Sequence, residues 1–102
     1  MTDQLLLVLL APADRRDDLV DALMEDATIS GFTLTPALGY SREHGAFSPG
    51  EQVAGYRDYV RFEVLIEPRH QARLLALLER AAGSERLRYW VTPIPETGHL
   101  PR

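Results

Sequence analysis

Three histidines, His44, His70 and His99, are the only imidazoles in the chain, and no two stand at metal-ligand spacing. His44 directly follows Glu43, which makes this pair the candidate for holding a divalent cation. Two donors are too few for one ion, but symmetry-related copies meeting at an axis or cleft can complete a set. The chain has no cysteine and no lysine, so all eleven cationic side chains are arginine. Disulfides, thiolate nucleophiles, Cys-ligated metals, Schiff bases and a P-loop lysine are therefore excluded. None of the fifteen carboxylates is paired by position as an acid/base couple, and no nucleophile elbow is present. These residues suit binding better than bond breaking.

The densest group of polar candidates falls within residues 41–58. Glu51 supplies an acceptor, Gln52 both donors and acceptors, and Gly55 permits close backbone approach or positive φ. Arg42 and Arg57 flank them and can pair with an anionic ligand. A structural reading competes with this one. Ser48-Pro49-Gly50-Glu51 has the form of a helical turn with Ser48 as cap and Glu51 as its partner, and the whole segment can pack on its own protomer.

The elements that would position these residues follow from hydrophobic period. Leu5 to Leu10 is a continuous apolar run, too short for a good helix and suited to a central strand. Asp14 can cap a helix in which Asp17 and Asp18 favour the first turn and Leu19, Val20, Leu23, Met24 and Ala27 form a stripe ended by Ser30-Gly31. Phe32, Leu34, Pro36, Leu38 and Tyr40 alternate with small or polar residues, and Pro36 implies that this strand lies at an edge or is bulged there. Val60, Phe62, Val64 and Ile66 define a third strand. Leu74, Leu75, Leu78, Ala81 and Ala82 give a second helix stopped by Gly83, and Leu87, Tyr89 and Val91 a fourth strand ended by Pro93 and Pro95. The order βαββαβ predicts an α+β ferredoxin-like sandwich, a four-stranded antiparallel sheet with both helices on one face. The other face is left bare, lined by Trp90, Ile94, Leu65 and strand-one leucines, as at a subunit interface. Tyr89 and Trp90 point to opposite faces, one toward the helices and one toward a neighbour. The connection at 41–58 is far longer than a hairpin requires, and such a loop is expected to be functional or disordered.

Ser30-Gly31-Phe32-Thr33, then Glu51-Gln52-Val53-Ala54-Gly55, then Tyr89 to Ile94 with Thr97-Gly98-His99-Leu100, occur in an order that spans nearly the whole chain. In these motifs the chain resembles the PII-like superfamily of trimeric signalling proteins and divalent-cation-tolerance proteins. It is most similar to a small bacterial branch encoded near heavy-metal efflux pumps. The resemblance implies a homotrimer with sheets packed inward, a small ligand or metal ion held in clefts between protomers, and a long loop that responds to it. A membrane efflux pump or a regulatory protein would be the partner. One departure matters. Where PII proteins hold ATP on a glycine- and lysine-rich turn, this chain has Gly83-Ser84-Glu85-Arg86, so ATP is not expected; Arg86 and Arg88 remain as anion contacts.

With 102 residues, 45% hydrophobic and 25% charged, the chain is expected to form one domain, 1–102. A net charge of −4 argues against nucleic acid as a partner. Asp3 stands where a signal peptide would be basic, and no segment approaches transmembrane length, so a cytoplasmic protein not inserted in a membrane is expected. The sequence names no cofactor. The leading expectation is a non-enzymatic trimeric sensor or adaptor. The alternatives are a divalent-metal tolerance protein that coordinates its ion directly, and a small ferredoxin-fold isomerase or monooxygenase-like enzyme with a polar pocket between sheet and helices.

Overall fold

A computed structural model of the chain describes residues 4–40 and 56–102. Its elements are β1 (Gln4–Pro12), α1 (Arg16–Glu25), β2 (Phe32–Gly39), β3 (Arg57–Ile66), α2 (Gln71–Ala82) and β4 (Arg88–Ile94), with single 3-10 turns at Ala13–Arg15 and Pro68–His70 before the helices. The sheet order is β2-β3-β1-β4 and all three pairings are antiparallel. Each strand–helix–strand unit thus skips one strand, which is the split arrangement of the ferredoxin-like α+β fold.

The continuous apolar run of β1 is explained by its position between β3 and β4. Leu7, Leu9 and Ala11 face the helices and are at most 2% exposed. They meet Leu19 and Leu23 of α1, Leu74 and Leu78 of α2, and Val60, Phe62, Val64 and Ile66 of β3. Burying each such side chain contributes about 1.5–3 kcal/mol, so this layer dominates stability. Phe62 is fully buried and its ring lies 6.1 Å from that of Phe32 on the neighbouring strand. β2 is an edge strand, where Pro36 costs no ladder hydrogen bond on its free side.

Three local expectations need correction. Asp14 sits in the 3-10 turn and does not cap α1, which starts at Arg16 without a side-chain cap. The helix also stops earlier than Ser30-Gly31. Asp26 closes it, because its carboxylate accepts from the Thr28 N–H at 2.9 Å and from the Thr28 hydroxyl, a local turn that competes with further helix. Ala27 therefore lies outside the helix, and Met24 is 71% exposed instead of joining the apolar stripe. Lastly, Leu38 and Tyr40 lie on the helix side of β2 by alternation yet are 58% and 73% exposed, because the strand runs past the end of the helical layer. Gly83 does stop α2, with φ of 67°.

Asp26 also ties the helices together. It is nearly buried and pairs with the Arg73 guanidinium of α2, which donates to the Thr28 hydroxyl as well at 2.8 Å. These hydrogen bonds, first from Arg73 and then from Thr28, hold its carboxyl down to about 2.

Candidate functional site

β2 and β3 are paired from Phe32↔Val64 to Gly39↔Arg57, so the excursion between them leaves and returns at one end of the sheet. The rings of Tyr40 and Tyr56 stand 5.9 Å apart across that base. Beside it, a groove of about 550 Å³ wraps the end of the sheet. One wall is Ala37 to Tyr40 with Tyr59, the floor includes Leu10, and the other wall is Arg86 to Tyr89 entering β4. Gly39 is required there for space. A Cβ at that position would run into the Tyr59 ring, so the ring can lie against the β2 backbone only if residue 39 has no side chain.

The groove is electropositive by composition. Arg86 and Arg88 line it, no carboxylate does, and neither arginine has an ion-pair or hydrogen-bond partner among the described residues. The nearest acid along the chain, Glu85, is engaged by Arg57 at 3.4 Å, with both side chains largely buried. Arg57 also stands 6.0 Å from the Tyr59 ring centre. This pair joins the start of β3 to the turn after α2.

Arg57 flanks the long connection as the first residue of β3, and Asp58 also belongs to that strand, because the ladder with β2 continues to Gly39. The expected connection at 41–58 is shorter by those two residues. Its remaining candidates, Glu51, Gln52, Gly55 and Arg42 for a ligand and Glu43 and His44 for a metal, lie outside the described residues. His70 sits before α2, its Nε2 3.7 Å from Glu67, while His99 lies beyond β4. Among the described residues no group of three or more His, Asp or Glu side chains could hold a metal ion. The sequence pointed to Arg86 and Arg88 but missed Tyr40, Tyr59 and the Arg57–Glu85 pair. The pairing of Gly39 beside Tyr59 was a usable signal once the register was known.

A second surface adjoins the groove. By register, Leu6, Val8 and Leu10 of β1, Arg61, Glu63 and Leu65 of β3, and Arg88, Trp90, Thr92 and Ile94 of β4 all face away from the helices. Leu65 is 42% and Trp90 36% exposed. The Arg61 guanidinium stacks 5.5 Å from the Trp90 ring. Tyr89 takes the opposite face, beside Leu9 and α2, as alternation predicts. The core between sheet and helices is apolar, and Asp26, the one buried polar side chain among the described residues, is committed to Arg73 and Thr28. Toward the end of α2 a second pocket of about 400 Å³ opens between helix and sheet, lined by Leu9, Leu75 and Leu78 with Glu79, Glu85, Arg86 and Tyr89. No described helix is long and apolar enough to cross a membrane.

A family model described as "Protein of unknown function (DUF3240)" matches residues 1–101. The chain belongs to the DUF3240 family. A DUF3240 family protein from Shewanella baltica OS155, whose crystal structure is known, is 38% identical to it, with a TM-score of 0.82 over 98% of this chain and 99% of that one. A Bacillus cereus protein related to NIF3 has a TM-score of 0.73 at 17% identity, over 96% of this chain and 27% of that one, a likeness of fold alone. No curated protein matches this DUF3240 chain.

Proposed function

We propose that this DUF3240 protein is a non-enzymatic, PII-like trimeric sensor or adaptor of the cytoplasm. It binds a small ligand or metal ion in clefts between subunits and passes that state to a partner linked to heavy-metal efflux, either the membrane pump or a regulator. The observation that carries this reading is the sheet face without a helix layer, where Leu6, Leu10, Leu65, Trp90 and Ile94 gather. An apolar, aromatic-centred patch of this kind is what subunit interfaces bury. The groove with Arg86 and Arg88 opens at the end of that face, so a neighbour docked on the face borders the groove. Ligand bound there favours whichever arrangement of the connection between β2 and β3 it contacts best, and a partner reads that arrangement.

Light scattering at micromolar concentration tests the assembly. The expected mass is three chains, and Trp90→Glu, which places a charge at the centre of the face, is expected to release monomers that keep the wild-type circular dichroism. A wild-type monomer would refute the reading.

A further inference from the structure

The groove's lining restricts its ligand further than the word "small". We infer that it takes an organic anion in which one carboxylate or phosphate monoester is attached to a flat, apolar body. This deepens, and rests on, the reading of the groove as the ligand cleft. Two arginines, Arg86 and Arg88, line it without ion-pair or hydrogen-bond partners among the described residues, and guanidiniums match the planar, two-oxygen edge of one carboxylate or phosphate. Among the described residues no carboxylate lines the groove to repel the anion, and Glu85 is held by Arg57.

The remaining walls select the body. Tyr40 and Tyr59 are among its lining residues, while Leu10 and Leu38 add apolar surface. Tyr40 is 73% exposed, so a ligand would bury ring area now facing water. A triphosphate fits worse. Two positive groups leave part of its charge uncompensated, and the turn Gly83–Arg86 holds one glycine and no lysine. About 550 Å³ is within the range of ordinary small-molecule sites.

The test is isothermal titration of the full chain with phenyl phosphate as probe, beside inorganic phosphate, benzyl alcohol and ATP. Arg86→Gln and Arg88→Gln serve as variants, with light scattering on the same samples. Both arginines are exposed, so the variants are expected to melt like wild type. Phenyl phosphate should saturate, and each variant should weaken it about tenfold or more, the worth of a charge-assisted hydrogen bond. Benzyl alcohol and inorganic phosphate should each bind at least about tenfold more weakly. Undiminished binding in both variants, equal binding of inorganic phosphate, or tighter binding of ATP would each overturn the inference. Absence of phenyl phosphate binding in a sample of trimer mass sinks the ligand class and leaves the trimer standing. Binding by a monomer does the reverse.

Discussion

Asp26→Asn removes one charge and keeps the shape, which makes it a direct probe of the link between α1 and α2. The wild-type carboxylate is held from 3.8 down to about 2, mainly by the Arg73 hydrogen bond and then by Thr28. A depression of this size corresponds to about 2.5 kcal/mol. Arg73 is half exposed, so water screens part of its effect, and about 1.5 kcal/mol is the better figure. The sign follows from the direction of the shift. The folded value lies below the unfolded one, so the contribution is complete above about pH 5 and disappears as pH falls through about 2. Urea unfolding followed by the fluorescence of Trp90, the only tryptophan, measures it at fixed protein concentration. Asp26→Asn should be less stable by about 1.5 kcal/mol at pH 7, with the gap closing as pH approaches 2. A gap that stays constant with pH would show that shape, not charge, joins the helices.

Three further outcomes follow from contacts already described. Gly39→Val drives a side chain into the Tyr59 ring and should cost about 1–3 kcal/mol in thermal or urea unfolding, with Tyr59→Ala recovering part of it in the double variant. No loss would mean that the ring moves freely. Arg57 and Glu85, single and double to Gln, should show a coupling of about 0.5–1 kcal/mol, the range of a partly shielded pair at 3.4 Å. Strict additivity would refute that link. Phe62→Ala, at the fully buried centre, should cost about 3–5 kcal/mol and leave a marginal fold, whereas a loss under about 1 kcal/mol would contradict the packing described.

Period-two alternation was sufficient to identify β3, because Val60, Phe62, Val64 and Ile66 are buried together under the helices. The same rule failed at the far end of β2. Alternation assigns a side chain to a face but does not say how far along the strand a helix covers that face, and Leu38 and Tyr40 lie beyond the cover. The end of α1 was misjudged for a related reason. Helical spacing extends the stripe to Ala27, but the Asp26 side chain has better partners in Thr28 and, 47 positions away, Arg73. A contact at that separation leaves no local trace. The groove was half legible on the same grounds. Arg86 and Arg88 stand out in a lysine-free turn, whereas Tyr40 and Tyr59 come together only through the register of β2 on β3.

Val8 points away from the helices, between Glu63 and Trp90, and is only 1% exposed. In a single chain its neighbours on that face must supply the cover, and the Arg61–Trp90 stack is placed to do so. The face is therefore organised within a single chain: an aromatic ring stacked by a guanidinium over an apolar strand. Rigid aromatic and arginine anchors lose little entropy on docking, which is why they concentrate binding energy. Trp90→Ala separates the two roles of that stack. If the ring only shields Val8, truncation lowers chain stability and leaves the mass unchanged. If it also anchors a neighbour, the mass falls with dilution at concentrations where the wild type stays assembled, and the stability loss becomes concentration-dependent.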